Sequence, residues 1–270
     1  MPGGFPLGLE FSHGTDVGTS GSSGTSLTSG TANAYGSYTQ LIASTANDAC
    51  GFVLNGVESI NLANQAAVKI AIGGAGSEVV IVNDLLYVAP AARTEFCVFI
   101  PVGIPAGTRI AAAMQSPSAS DSGCQTSLTL YDGAFTNFEG YAGIDSIGFV
   151  SASTGGTSIT SGNGSKGSYA QLTASTPRDY AGFFFKMDGA NANPSASDLG
   201  LLDIAIGGSG SEVIITPNIP VVSSTTTGEL NPVSPPIHWV PIPAGTRVAA
   251  RAQFAAHAIT FGLTLYGIYQ

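Results

Sequence analysis

The chain has 270 residues, enough for one large domain or two ordinary ones with real cores, and 44% of them are hydrophobic against 9% charged. A formal net charge of -9 with only eight Lys plus Arg leaves no basic stripe to neutralise phosphates, so the composition argues against nucleic acid and anionic membranes as partners. The 36 glycines and 15 prolines occur under a positive mean hydropathy of +0.29, which describes a folded, turn-rich protein rather than a disordered one.

The first residues, MPGGFPLGLEF, set Phe5, Leu7, Leu9 and Phe11 two apart, a spacing that suits an added strand or an anchor peptide seated on a partner. This stretch has no second copy in the sequence. It lacks the basic start and continuous apolar segment of a signal peptide, and no apolar run in the chain approaches the roughly 18 residues of a membrane helix. Residues 1–16 are therefore read as an N-terminal anchor-like segment.

A Gly/Ser/Thr tract, GTSGSSGTSLTSG, follows, and then short apolar or alternating runs cut by turn residues: SYTQLIA, CGFVL, VKIAI, EVVIV, EFCVFIPV, TRIAAAM and SLTLYD. Such runs, rich in β-branched and aromatic residues and without a long 3.6-residue period, predict strands throughout. The same text then returns. TSLTSG at 25–30 recurs as TSITSG at 157–162, GSYTQLIAST at 36–45 as GSYAQLTAST at 167–176, and IAIGGAGSEVVI at 70–81 as IAIGGSGSEVII at 204–215. IPAGTR moves from 104–109 to 242–247, and LTLY from 128–131 to 263–266. Block order is kept while the spacing drifts, as expected when framework is retained and loops absorb insertions. The expected architecture is all-β, with two tandem, homologous β-sandwich (jelly-roll-like) domains over residues 17–140 and 141–270.

The glycine block resembles a phosphate cradle, which requires a helix after the loop and usually a Lys. Here strand sequence follows in both copies, so GGAGS and GGSGS are expected as hairpin turns. Few charged residues occur in both copies: Asp48 with Asp179, Glu78 with Glu212, and Arg109 with Arg247. Paired carboxylates can hydrolyse glycosides. In a chain this poor in charge, the favoured reading is equivalent structural ion pairs, Arg109 with Glu78 and Arg247 with Glu212.

The paired aromatics Tyr38 with Tyr169 and Tyr131 with Tyr266 are expected to pack beside strands. Trp239 is the only tryptophan and has no counterpart; it is the single candidate for a glycan contact, with burial in the core as the favoured alternative. His13 lies in the leader, and His238 and His257 occur only in the second copy, without catalytic or ligand spacing. Cys50, Cys97 and Cys124 all lie in the first copy, where Cys50 corresponds to Ala181, and are expected as small buried hydrophobes. No catalytic residue, cofactor or metal is implied.

IPAGTRIAAAMQ and IPAGTRVAARAQ, with the two IAIGG blocks and a closing LTLY strand, resemble virion proteins of tailed bacteriophages and phage-like particles, in which β-sandwiches form tail fibres, spikes or head decorations. The resemblance implies a non-enzymatic structural protein on the virion surface, made in the host cytoplasm. It also implies a homo-oligomer, often a trimer, docked on other virion proteins. A receptor- or glycan-binding module that meets a host surface glycan is the alternative, followed by a bacterial adhesin or carbohydrate-active enzyme.

Overall fold

The computed structural model describes residues 8–10, 24–58, 65–88, 96–122, 124–132, 141–188, 198–224, 229–232 and 237–270. Every regular element among them is a strand, as short β-prone runs bounded by Gly, Pro, Asn and Ser dictate. The chain is all-β and sandwich-like, and divides into two compact units, Met1–Asn83 with Ala92–Ile144 and Asp84–Ala91 with Asp145–Gln270.

In order, the strands are β1 (Gly8–Glu10), β2 (Thr25–Leu27), β3 (Thr39–Ile42), β4 (Ala49–Glu58), β5 (Gln65–Ile72), β6 (Val79–Val88), β7 (Phe96–Ile100), β8 (Ile110–Gln115) and β9 (Cys124–Asp132). They continue as β10 (Gly143–Ile147), β11 (Phe149–Ser151), β12 (Gly155–Thr160), β13 (Gly162–Asn163), β14 (Ala170–Thr173) and β15 (Gly182–Asp188). The last are β16 (Asp198–Ile206), β17 (Val213–Ser224), β18 (Glu229–Pro232), β19 (Val248–Phe254) and β20 (Thr260–Tyr269).

In the first unit one sheet runs β1-β9-β4-β7, with β2 also on β9, and β5 lies between β6 and β8, which carries β3. Leu54 faces Leu128 across β4 and β9, and Ile70 faces Ala112 across β5 and β8. Phe52, Leu54, Leu128 and Leu130 are buried, as are Val68, Ile70, Ile110 and Met114.

The second unit repeats this plan. One sheet holds β12 and β15 on β20, and the other runs β13-β19-β16-β17-β18 with β14 on β19. Phe183 and Phe185 from β15 and Leu263 and Leu265 from β20 meet Leu202 and Ile204 from β16 and Ala250 and Phe254 from β19 in one core. A fully buried large apolar side chain contributes about 1.5–3 kcal/mol, so this aromatic-rich core is the main source of the unit's stability.

Two details depart from the sequence expectation. β1 lies on β9 as β10 lies on β20, so the strand "GLE" near the N-terminus has a structural second copy in "GID" at 143–145. Backbone hydrogen bonding defines this strand, and the side chains are free to differ, which hides the likeness in sequence. The second departure is that Asp84–Ala91, from within the first copy, groups with the second unit. There the Tyr266 hydroxyl donates to Asp84 O at 3.0 Å and accepts the Leu86 N–H at 2.7 Å. Phe184 stacks on Tyr266 at 4.9 Å, so the face of β15 and β20 turned away from the core is also covered.

Candidate functional site

The glycine block forms the turn of a hairpin in the second unit, where Ile206 faces Val213 across β16 and β17. Gly73 and Gly207 have φ of +106 and +105, and Gly76 and Gly210 both have +83, backbone values that a side chain strains. Ser77 N–H donates to Gly74 O and Ser211 N–H to Gly208 O, each at 3.0 Å. A strand follows each turn, so no helix N-terminus faces the glycines and the phosphate-cradle geometry is absent from both turns.

Arg109, the residue before β8, fixes this turn from the strand that pairs with β5. Its Nε donates to Gln40 Oε1 at 3.1 Å, and its Nη1 to Gly73 O and Glu78 Oε1, both at 3.1 Å. Arg247 makes the same set: Nε to Gln171 Oε1 at 2.8 Å, and Nη1 to Gly207 O and Glu212 Oε1, both at 3.0 Å. The second oxygen of Glu78 accepts the Gly76 N–H at 2.8 Å, and that of Glu212 the Gly210 N–H at 2.9 Å. Each carboxyl is held below its ordinary range, first by its own backbone N–H, against the opposing effect of burial, and then by the guanidinium and the glycine N–H.

A second turn, "IPAGT", borders the first. Asp48 Oδ1 accepts the Ala106 N–H and Asp179 Oδ1 the Ala244 N–H, each at 2.7 Å. Thr45 Oγ1 donates to Pro105 O at 2.8 Å and accepts the Thr108 N–H at 3.0 Å, and Thr176 does the same with Pro243 O at 2.6 Å and Thr246 N–H at 3.0 Å. The threonines were not singled out from sequence, although the repeated "AST" was their signal. Gly107 and Gly245 close the turn at φ +77 and +73.

Between the two turns each unit has an open depression, about 600 Å³ in the first and about 530 Å³ in the second. Gly73, Gly74, Val79, Gly107, Thr108 and Arg109 line one, and Gly207, Gly208, Val213, Gly245, Thr246 and Arg247 the other. Val79 and Val213 are each 63% exposed. The charged residues that both copies retain, Asp48, Glu78 and Arg109 with Asp179, Glu212 and Arg247, therefore gather at these two neighbouring turns in each unit.

The remaining candidates lie elsewhere. Trp239 is 46% exposed, so core burial does not describe it. Its neighbour His238 stacks on Phe183 at 5.2 Å, and in an extended stretch the next side chain points the other way. An added Cβ on Gly182 would lie 3.0 Å from Trp239 Cε3, which places the indole over that glycine. Burial lowers the His238 pKa, and its Nε2 has no partner among the described residues. His257 sits in the turn after β19, 3.6 Å from Asp198.

Tyr131 meets Phe99 edge to face at 5.8 Å, whereas Tyr266 is wholly buried and its hydroxyl pKa is raised by that burial. Burial, then the Glu78 charge, raises Tyr38. Arg251 lies over the Tyr169 ring at 4.6 Å. Cys50 and Cys124 are buried thiols, with Sγ 3.3 Å from Tyr131 O and 3.4 Å from Thr126 Oγ1; His13 and the Cys97 side chain lie outside the described residues. Among the described residues no group of three or more His, Cys, Asp and Glu could hold a metal, and no helix is long and apolar enough to cross a membrane.

No protein family and no curated protein matches the chain. Among solved structures it is similar to one described as "The Triple Jelly Roll Fold and Turret Assembly in an Archaeal Virus", at 11% identity over 91% of this chain and 59% of that one. The TM-score is 0.23, too low to carry an argument.

Proposed function

We propose that the chain is a non-enzymatic structural protein on the surface of a phage or phage-like particle, as a head decoration, spike or tail-fibre component. The observation that carries this reading is where the retained polar residues go. Asp48, Glu78 and Arg109, with Asp179, Glu212 and Arg247, all hold turns against sheets. In each unit both acids accept from turn N–H groups and the arginine ties the glycine turn to its neighbours, an arrangement that suits a rigid building block. Two such units on one chain, with exposed Val150 and Leu199, offer apolar surface for subunits of the particle to cover. Homo-oligomerisation, including a trimer, and docking on other virion proteins belong to this proposal.

A receptor- or glycan-binding module is the second reading, favoured by the exposure of Trp239. Immunogold electron microscopy with an antibody to this chain, applied to particles from a producing culture, tests both. Label over the head supports a decoration or spike, and label at the tail tip supports the receptor-binding reading. Particles without label overturn the virion assignment and return an adhesin or carbohydrate-active enzyme to consideration.

A further inference from the structure

We propose that each repeat carries a shallow binding site for a neutral glycan, set between its glycine turn and its "PAGT" turn, so that one chain presents two equivalent sites. The inference rests on the surface reading above and gives it a ligand class.

The first ground is the state of the guanidinium. Nε and Nη1 of Arg109 are used by Gln40, Gly73 and Glu78, and among the described residues nothing accepts from Nη2. The same holds for Arg247 with Gln171, Gly207 and Glu212. The two arginine side chains are 16% and 14% exposed, and both line the depressions. Each site thus has a guanidinium clamped on one side, with two N–H donors left on Nη2. Rotamer entropy has already been lost, so a ligand acceptor meets a preorganised donor pair.

The second ground is the wall. Val79 and Val213 stand 63% exposed and line the same depressions as the arginines and the turn glycines. An apolar wall next to a fixed donor pair matches a sugar ring, which offers a C–H face to one and hydroxyl or acetamido oxygens to the other. Anions fit poorly, because Glu78 and Glu212 lie 3.1 and 3.0 Å from the same guanidinium groups and neutralise them. The depressions are bordered by turns, so they give an extended peptide no strand edge to join.

The third ground is retention. Between the glycine block and IPAGTR the second copy has four more residues, yet both turns keep their wording. Connecting segments vary more than the elements they join and often carry binding residues. Two sites per chain also suit a repeating surface polysaccharide, since linked weak sites gain about 10²–10⁴ in avidity.

The test uses the purified full chain on an array of neutral and sialylated oligosaccharides, with saturation-transfer NMR on each hit. Val79→Gln and Val213→Gln change exposed positions outside the Arg–Glu–Gln network, and circular dichroism checks that they fold. The expected result is binding to neutral oligosaccharides at two sites per chain, one site in either single variant, and at least tenfold weaker binding in the double variant. The proposal is overturned if no neutral oligosaccharide binds, if sialylated ones bind better, or if the double variant binds as the parent does. Loss of binding in Trp239→Ala with both valines intact would move the site elsewhere. A change of oligomeric state in the double variant without glycan binding would make the depressions a self-contact. Failure here leaves the virion assignment standing, because particle labelling reads that separately.

Discussion

Asp203 is 2% exposed at the centre of β16 and carries three charge-assisted hydrogen bonds: from Lys166 Nζ at 2.7 Å, the Asn218 N–H at 2.9 Å and Arg251 Nε at 3.0 Å. Asp203→Asn keeps the shape but removes the charge. Oδ1 serves Lys166 and Asn218 while Oδ2 serves Arg251, so whichever way the amide turns, its NH₂ group faces a cationic donor. Removing one partner of a buried ion pair costs about 3–5 kcal/mol. The Lys166 and Arg251 side chains are 15% and 29% exposed and can regain water, which reduces the expected cost. A discounted loss of about 2–3 kcal/mol, at about 3 °C per kcal/mol for a unit of this size, lowers the melting transition by about 6–9 °C. Differential scanning calorimetry at pH 7 reads this directly. The first unit carries Lys69 at the equivalent position, opposite Ala113 and 4.1 Å from the Tyr35 ring, so its transition should not move. A fall of less than about 2 °C in the second unit would refute the claim that this buried cluster is a net stabiliser.

Tyr266→Phe leaves the buried Leu86 N–H without its acceptor and should cost about 1–3 kcal/mol, while Tyr131→Phe should stay within about 0.5 kcal/mol; urea melts of both variants compare them. Gly107→Ala and Gly245→Ala meet open space but positive φ, so each should cost about 1–2 kcal/mol, and unequal costs would show that the two turns are not equivalent. Burial alone would raise the Asp203 and Asp198 carboxyls, yet their hydrogen bonds hold both below the ordinary range. With folded values below unfolded ones, their stabilisation is complete above about pH 4 and is lost as pH falls through the folded values, which an acid titration of the second unit by circular dichroism checks. His238 also has a depressed folded pKa, so its contribution is present above about pH 6.5 and declines below it; His238→Phe should flatten that part of the profile.

The strands and the glycine turns were legible because alternation and Gly-rich punctuation are local signals. VKIAI and EVVIV needed nothing distant to be read as β5 and β6. The side of the sheet that Trp239 takes was not legible, since it depends on His238 stacking on Phe183 and Phe185, which lie over 50 residues earlier. The transfer of Asp84–Ala91 to the second unit was hidden for the same reason: its contact with Tyr266 spans about 180 residues and uses backbone atoms, which leave no mark in the sequence. Thr45 and Thr176 were visible as repeated letters, but their double role at the second turn required the geometry.

The two copies differ most informatively inside their sheets. At one cross-strand position the first has Lys69 opposite Ala113, and the second has Asp203 opposite Arg251. Tyr35, which lies over Lys69 in the first, is replaced in sequence by Lys166, which binds Asp203 in the second. A cation over a ring has been exchanged for an ion pair, and the same fold accommodates both, as expected where packing asks only for mutual satisfaction. The turns show the opposite behaviour. Gln40, Gly73, Glu78 and Arg109 recur as Gln171, Gly207, Glu212 and Arg247 with hydrogen-bond lengths that agree within 0.3 Å. If rigidity alone were required, the turn network had the same freedom to be rebuilt as the buried network in the sheet. The network fixes both turns, and the proposed glycan sites would give both depressions a further reason to keep it.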